Sequence, residues 1–441
     1  MEQLMGMRNS STLFIALMLL VSCTRKTSQS LSLPDFEVIS IHSSGSFIGP
    51  CEPTICINPL NVNEVYAGSV LDNFYFSPDG GRSWSIKKLT SKYGVFGDPV
   101  IRVTLDGTVL YSHLSNPKNQ AYASVEFLDR IVVQSSKDNG DTWTDGTFPR
   151  VDHHKDQDKQ WLYCSPIDKN IVLMSWTEFD KYGSDNPNDR SRILFSKSQD
   201  GGYTWSEAIQ ISELEGDCLD GDNTTEGAHP VIGIDGTYYI TWSFDNKIYL
   251  DFSKDNGKTW QSKDIVIATQ PGGWAFDIDG IGRANGMPVM AVDHSRHANR
   301  GNLYVSWSDQ RHGEDDTDVW VIRSRDHGST WSDPIRVNTD GKGKQQFFSW
   351  MDLDQSTGAI YWVFYDRRDY VDTSTDVFIA KTNDGGNTIS NYKVSKSPFI
   401  PTAGVFFGDY NDISAVKGHV MPIWTRMDEG KLSVETTHIQ F

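Results

Sequence analysis

The sequence of 441 residues predicts an all-β chain folded as a single β-propeller with seven blades. Three observations support this prediction. A turn-forming octet recurs six times, a hairpin of two apolar strands recurs seven times, and the composition, with 37 Gly, 14 Trp and 12% aromatic residues, suits short strands and tight turns. Four strands in each unit, repeated about every 60 residues, are the pattern of a propeller blade.

The octet has the pattern Ser/Thr-x-Asp-x-Gly-x-Thr/Ser-Trp. Its aspartate can accept hydrogen bonds from nearby backbone amides, its glycine takes positive φ, and its tryptophan can pack the turn onto its neighbour. Five copies are complete, whereas the last has isoleucine in place of tryptophan. The copies are Ser77–Trp84, Ser136–Trp143, Ser198–Trp205, Ser253–Trp260, Ser324–Trp331 and Thr382–Ile389.

The hairpin repeat has two apolar strands, as expected for inner strands buried between neighbouring blades. A third strand leads into most octets and a fourth strand leaves them. The last hairpin is followed only by Lys431–Phe441, so the seventh blade lacks a fourth strand. We expect Phe36–His42 to supply that strand and close the ring. The seven hairpins begin at Glu52, Asp98, Gln160, His229, Met287, Phe348 and Gly408.

The octets resemble the Asp-box (BNR) repeats of sialidases and related β-propeller proteins, and the resemblance extends from about Pro50 to the C-terminus. It implies a sialidase-like propeller, with the six blades of sialidases as the alternative to seven. It also implies that the octets are structural turns on the face away from the active site. The Arg-Ile-Pro motif of sialidases is missing, since the first inner strand opens with Cys51-Glu52-Pro53. The resemblance therefore supports the scaffold more than the sialidase activity.

Residues 1–22 are expected to form a lipoprotein signal peptide. The apolar run Leu13–Val21 is too short to span a bilayer. It leads into Leu20-Val21-Ser22-Cys23, which resembles a bacterial lipobox and predicts lipidation of Cys23; an ordinary signal peptide with an incidental cysteine is the alternative. Residues 23–34 would then be a tether and residues 35–441 the propeller. This predicts a lipid-anchored protein of the bacterial cell envelope, periplasmic or at the cell surface.

The formal net charge of −18 argues against general binding to nucleic acid or anionic lipid, so the lipid anchor is the only membrane contact expected. No Cys or His spacing indicates zinc. The acidic run Glu314–Asp318 could bind calcium but lacks the EF-hand spacing, so no cofactor is predicted. Four cysteines could pair outside the cytoplasm or remain buried thiols, namely Cys51, Cys56, Cys164 and Cys218.

Candidate catalytic residues stand where the chain leads into the inner strands, because these loops open on the face opposite the octets. Like charges gathered in a cleft raise one another's pKa, which keeps a general acid protonated beside an ionised partner, and glycoside cleavage uses such a pair. Each acid could instead only shape a turn at the channel rim. A tyrosine nucleophile could also stand there. The candidates are Asp98, Asp158, Glu226, Asp409 and Tyr410, with Glu52 as a fifth carboxylate at the same mouth.

Candidate substrate-binding residues are aromatic or basic. Trp161 could stack on a sugar face, and His229 could bond a sugar or simply complete the rim. Three arginines from successive blades could grip an acidic group by paired hydrogen bonds, or could pair with aspartates between blades. They are Arg311, Arg368 and Arg426. Loops 115–130, 179–191 and 309–318 are long or polar enough to line a site.

The sequence thus predicts an exported, sialidase-like lipoprotein that acts on glycans, with glycoside hydrolysis by paired carboxylates as the hypothesis for its activity. The alternative is a non-catalytic propeller that binds a glycan or a protein in a cell-envelope complex. The missing Arg-Ile-Pro motif and the extra blade favour the alternative, whereas the converging carboxylates favour the enzyme.

Overall fold

The computed structural model describes residues 36–45 and 49–441, which form 30 β-strands and two 3₁₀ turns, Pro117–Asn119 and Ala121–Ala123. The predicted signal peptide, the lipidation site Cys23 and the tether lie outside the described residues. No helix in the described part of the chain is long and apolar enough to cross a membrane.

The first three blades are antiparallel sheets whose strands follow one another in chain order. Strand β1 (Val38–Ser43) precedes them. Blade 1 contains β2 (Thr54–Ile57), β3 (Val65–Ser69), β4 (Asn73–Ser77) and β5 (Ser85–Lys88). Blade 2 contains β6 (Val100–Val103), β7 (Val109–Leu114) and β8 (Ile131–Ser136), with a single bridge between Val133 and Thr147 in place of a fourth strand. Blade 3 contains β9 (Asp156–Cys164), β10 (Val172–Phe179), β11 (Ser191–Ser198) and β12 (Ile209–Gln210).

The next three blades have four strands each, and an extra hairpin is inserted among them. Blade 4 contains β13 (Glu226–Ile232), β14 (Tyr238–Phe244), β15 (Lys247–Ser253) and β16 (Ile265–Thr269). The inserted hairpin is β17 (Ala275–Ile278) and β18 (Ile281–Asn285). Blade 5 contains β19 (Val289–Val292), β20 (Leu303–Asp309), β21 (Asp318–Ser324) and β22 (Ile335–Arg336). Blade 6 contains β23 (Gln346–Leu353), β24 (Ile360–Asp366), β25 (Asp376–Thr382) and β26 (Ser390–Lys393).

Blade 7 is completed by both ends of the described chain. It contains β27 (Asp412–Val416), β28 (His419–Asp428) and β29 (Lys431–Thr437), while β30 (Ile439–Gln440) pairs with the start of β28. Strand β1 pairs antiparallel with β29, with Val38 opposite Thr437. The predicted closing strand is therefore confirmed, and so are the seven blades; the six-bladed alternative is wrong.

Hydrophobic cores lie between adjacent blades. Between blades 4 and 5, Tyr239 and Leu250 belong to the same cluster as Val305 and Trp307, and all four side chains are almost fully buried. Each blade is thus held by its neighbours. This packing fixes the loops that lead into the inner strands around the central channel.

All six octets form the same hydrogen-bonded turn after the third strand of their blade. In one of them, the Ser253 hydroxyl donates to Asp255 (2.8 Å) and accepts from the Gly257 amide (2.9 Å). Asp255 also accepts from the amide and the hydroxyl of Thr259 (2.9 and 2.7 Å). The octet that begins at Thr382 keeps these bonds without a tryptophan. The turn therefore depends on the hydroxyl, aspartate and glycine residues.

These turns predict a loss of stability in acid. Hydrogen bonds, chiefly from the hydroxyls of Thr142 and Thr330, lower the pKa of Asp138 and of Asp326 to about 2. A lowered carboxyl pKa adds stability that is present above the unfolded-state pKa of about 3.9 and is lost as the pH falls through the folded-state pKa. Denaturant titrations should show a falling free energy of unfolding between about pH 4 and pH 2. The fall should be shallower when both aspartates are replaced by asparagine, and an unchanged slope would contradict this account.

Candidate functional site

The inner strands begin with a repeated backbone irregularity. Six blades have a residue in the left-handed conformation near the start of the inner strand. In five of them, this residue stands two positions before the point where regular strand pairing starts or resumes, and in blade 7 it occupies the corresponding position. Four of these residues are not glycine, and such residues rarely adopt a positive φ. Sparsely populated backbone conformations of this kind cluster at functional sites. The six residues are Glu52 (φ 50°), Asp98 (47°), Lys159 (50°), Gly227 (72°), Phe348 (50°) and Gly408 (95°).

A cavity of about 360 Å³ opens at this mouth of the channel. Because antiparallel strands alternate in direction, the octets lie at the opposite end of each blade. Most of the surface that lines the cavity is apolar, and polar residues form the rest. Its polar residues are Glu52, Asp98, Asp158, Lys159, Tyr182 and Arg283. Its apolar residues include Leu71, Phe96, Leu114, Tyr122, Phe127 and Phe406.

An ion network centred on Asp409 supports the cavity. The Lys159 ammonium lies 2.6 Å from an Asp409 carboxylate oxygen and 3.3 Å from Asp98. Arg283 donates its Nε–H to the other Asp409 oxygen (2.8 Å), and its terminal nitrogens contact Asp409 and Asp220. Although burial opposes ionisation, Lys159 and Arg283 hold the pKa of Asp409 well below its usual range. Asp409 itself is only 1% exposed and is absent from the cavity lining.

Two acids that line the cavity, in contrast to Asp409, have raised pKa values. Burial raises the pKa of Asp158 well above its usual value; Lys159 opposes the shift, and the adjacent Asp98 adds to it. Burial likewise raises the pKa of Glu52, with Asp98 as the largest charged contributor. The cavity therefore combines two acids of raised pKa with Asp409, whose pKa is lowered. This is the separation of pKa values that acid–base chemistry needs.

A tyrosine–carboxylate pair stands at the same cavity. The Tyr182 hydroxyl donates to Asp220 (2.7 Å) and lies 3.3 Å from a terminal nitrogen of Arg283. The Trp274 indole N–H donates to the other Asp220 oxygen (3.2 Å), so that Asp220 is held from two further sides. A hydroxyl bonded to a base that is itself oriented by other groups is the arrangement of an activated nucleophile.

The structure brings together only part of the predicted catalytic set. Asp98 and Asp158 line the cavity, and Asp409 supports it. Glu226 does not line it, contrary to the prediction: its side chain is fully buried and accepts a bond from the Thr177 hydroxyl (3.2 Å). Burial raises the pKa of Glu226 as well. Glu226 is therefore an interior group, out of reach of a ligand in this cavity.

An aromatic plug fills the channel below the cavity. The Trp161 ring lies 4.4 Å from Trp350, 5.1 Å from Tyr410 and 6.1 Å from His229, measured between ring centroids. All four side chains are buried, and burial lowers the pKa of His229 to about 3. Trp161, His229 and Tyr410, predicted to act at the mouth, instead pack on one another below it, and none of them lines the cavity. His229 and Trp350 instead line a second cavity, of about 210 Å³, that includes Arg102.

Tyr410 offers a direct test of this correction. Its hydroxyl is buried and has no hydrogen-bond partner among the described residues, and burial raises its pKa. Since an unsatisfied buried polar group costs about 1–3 kcal/mol, Tyr410→Phe should leave the free energy of unfolding unchanged or raise it by about 1 kcal/mol. Turnover should also be unchanged. Loss of activity in a stable Tyr410→Phe protein would restore Tyr410 as the nucleophile.

The three predicted arginines do not reach the cavity. Each pairs with an aspartate two positions away in its own blade: Arg311 with Asp309 (2.5 Å), Arg368 with Asp366 (2.6 Å) and Arg426 with Asp428 (2.6 Å). The guanidinium groups of the first two also cover the rings of Trp320 and Phe378. The aspartate-pairing alternative is thus the observed one, although the pairs form within blades and not between them. None of the three is positioned to grip an acidic group in the cavity.

Sequence reasoning missed four residues of the site. Arg283 comes from the inserted hairpin β17–β18, and Tyr182 and Asp220 come from loops. Lys159 stands directly beside the predicted Asp158. The unusually long segment between β16 and β19 indicates an inserted element, and this is the sequence feature that could have pointed to Arg283. Of the predicted loops, 115–130 and 179–191 contribute to the cavity, whereas 309–318 does not.

The remaining predictions concern metals and cysteines. His312, Asp316 and Asp318 place ligand atoms within 4.8 Å of one another, which makes this the one candidate metal group among the described residues. It overlaps the acidic run predicted for calcium, but Asp318 already pairs with Arg336 (3.2 Å). The four cysteines among residues 36–45 and 49–441 are free thiols, namely Cys51, Cys56, Cys164 and Cys218.

No family profile matches the sequence, and no curated protein matches it significantly. Solved structures do match. The NanB sialidase from Streptococcus pneumoniae, in complex with 2-[(3-chlorobenzyl)ammonio]ethanesulfonate, is similar with a TM-score of 0.50 and 10% identity over 86% of this chain and 83% of that chain. The chain has a sialidase-type propeller fold. At this identity, the likeness speaks for the fold alone.

Two further structures are similar at lower scores. A protein of unknown function from Dyadobacter fermentans has a TM-score of 0.48 and 12% identity over 92% of this chain and 99% of that chain. The Penicillium chrysogenum α-L-arabinanase, complexed with arabinobiose, has a TM-score of 0.46 and 15% identity over 82% of this chain and 99% of that chain.

Proposed function

We propose that the protein binds a glycan in the cavity at the channel mouth and hydrolyses one of its glycosidic bonds. The observation that carries the proposal is the convergence of Asp158, an acid whose pKa burial raises, and the Tyr182–Asp220 pair on one cavity. Glycosidases need a proton donor for the leaving oxygen and a second group at the anomeric carbon. The similarity to sialidases and an arabinanase adds support by analogy of fold.

The proposed reaction has two steps. The Tyr182 oxygen attacks the anomeric carbon while Asp220 takes the phenolic proton, and Asp158 gives its proton to the departing glycosidic oxygen. The ionised Asp158 then takes a proton from water, which attacks the glycosyl-tyrosine and releases the sugar. Asp220 returns its proton to Tyr182. Burial and Asp220 raise the pKa of Tyr182, so the proton must leave during the attack and not before it.

The test is trapping of the covalent intermediate. The protein is incubated with activated 2-deoxy-2-fluoro glycosides of several sugars, and the adduct is located by peptide mass spectrometry. We expect one equivalent of label on Tyr182 and release of reducing sugar from the natural counterpart of the labelling glycoside. Tyr182→Phe should abolish both, while Tyr410→Phe serves as the matched control. Label on another residue would overturn the assignment of Tyr182.

A non-catalytic glycan-binding propeller in a cell-envelope complex is the second candidate. It is favoured by the internal pairing of Lys159 and Arg283, each of which already contacts two carboxylates. Glycan binding by the wild-type protein without release of any sugar would support this function and exclude hydrolysis.

The proposal includes export and anchoring through Cys23, which rest on the N-terminal sequence. In a bacterial host, the wild-type protein should incorporate radiolabelled palmitate and sediment with membranes, whereas Cys23→Ala should do neither. Equal labelling of the two proteins would contradict the anchor.

A further inference from the structure

We infer that the cavity takes an uncharged sugar unit and rejects sugars that carry a carboxylate. This inference rests on the proposed function, and it narrows the class of substrate. It departs from the expectation that three arginines would hold an acidic group.

The first argument is the balance of charge around the cavity. Lys159 and Arg283 are the only cations among the described residues that line it. Five carboxyl groups surround these two cations: Glu52, Asp98, Asp158, Asp220 and Asp409. Even with Glu52 and Asp158 protonated, the carboxylates outnumber the cations.

The second argument is that both cations already pair with carboxylates of the protein. Lys159 is 4% exposed and lies between Asp98 and Asp409. Arg283 uses its Nε and both terminal nitrogens on Asp409 and Asp220. A substrate carboxylate would have to share these two cations with the carboxylates that already pair with them. Displacing Asp409 would be costly because a buried charge needs its partners.

The third argument is the apolar character of the remaining surface. Phe127 lies edge-on to Phe96 and Tyr122, with ring centroids 4.8 and 4.6 Å away. Phe406 covers a face of the Arg283 guanidinium at 5.6 Å. The C–H face of a neutral sugar can pack on aromatic rings, and the carboxyl groups of Glu52 and Asp158 can form hydrogen bonds with its hydroxyls.

The experiment compares sugars that differ only in charge. Binding to the Tyr182→Phe protein is measured by calorimetry for methyl glycosides in matched pairs, glucoside with glucuronide, galactoside with galacturonide and mannoside with mannuronide, in both anomers. A sialyl glycoside is included. We expect the neutral member of any pair that binds to have an affinity about tenfold or more above that of its uronide. Added salt should reduce this ratio, because the rejection is a repulsion between charges.

Two variants locate the repulsion. Asp98→Asn removes one negative charge from the cavity and should lower the ratio of the affinity for a neutral sugar to the affinity for its uronide. Asp200→Asn makes the same change in an octet at the opposite end of the propeller and should leave the ratio unchanged. An equal effect of both variants would overturn the role of the cavity charges.

The outcomes separate the two proposals. Preferred binding of a uronide or of the sialyl glycoside overturns the inference but supports glycan binding. Absence of binding by every sugar in the panel overturns the proposed function, and this inference with it. Preferred binding of neutral sugars, with the affinity ratio lowered only by Asp98→Asn, supports this inference and the glycan binding on which the proposed function depends.

Discussion

Asp158→Asn is expected to lower kcat/KM for a natural glycan by about 10²–10⁴-fold while the propeller stays folded. The amide keeps the shape of the side chain but cannot donate the proton that the leaving oxygen needs. Burial raises the pKa of Asp158, so the wild-type protein should lose activity only as the pH rises through that raised value. This basic limb of the pH–rate profile should be absent from Asp158→Asn.

Two controls isolate the role of Asp158 as an acid. A 2,4-dinitrophenyl glycoside needs no proton on its leaving group, so Asp158→Asn should keep a nearly wild-type kcat/KM for it. Its kcat should still fall, because the glycosyl-tyrosine then lacks the base that activates water. Asp352→Asn changes another buried acid, whose pKa burial raises to about 7, but which lines the second cavity. That variant should keep its activity. Equal losses of kcat/KM for the natural glycan and for the dinitrophenyl glycoside would mean that Asp158 positions the site and does not donate a proton.

Asp409→Asn is expected to lower the free energy of unfolding by about 3–5 kcal/mol. Asp409 is the shared counter-ion of Lys159 and Arg283, and Lys159 is almost fully buried. Removing the carboxylate leaves the Lys159 charge in the interior with only the more distant Asp98, at 3.3 Å. Urea titration of the purified proteins measures the loss.

The matched control is an exposed ion pair. Asp245→Asn breaks the contact of Asp245 with Lys247, whose side chains are 51% and 37% exposed, and should lower the free energy of unfolding far less than Asp409→Asn does. Adding Lys159→Met to Asp409→Asn should recover part of the lost stability, because the unpaired charge is then removed. Similar losses in the two aspartate variants would show that Asp409 is not an interior counter-ion.

The blade architecture was predictable because its signals are local. The octet bonds of Ser253, Asp255 and Thr259 span a few residues, so the sequence displays them directly. Seven alternating hairpins, with a last blade one strand short, were enough to place Phe36–His42 against the C-terminal blade. The observed pairing of β1 with β29 followed from counting strands.

The site was less predictable because its geometry depends on the left-handed residues at the start of the inner strands. Glu52, Asp98 and Lys159 adopt positive φ without being glycine, and the sequence carries no signal for this. Two positions later the chain turns into the channel, which explains why Trp161 and Tyr410 form the plug and not the cavity wall. The decisive contact of Arg283 with Asp409 joins residues 126 apart and arises from an inserted hairpin.

Closure of the ring by β1 also sets the order in which the protein can be completed. The first strand of the propeller to be synthesised pairs with a strand roughly 400 residues later, the longest possible loop for this fold. Strand β1 has no pairing partner until β29 has been synthesised. Until β1 pairs with it, β29 has an unpaired edge. Ring closure is therefore a late event of folding, and at high protein concentration two chains that exchange β1 would form a swapped dimer with the same blades.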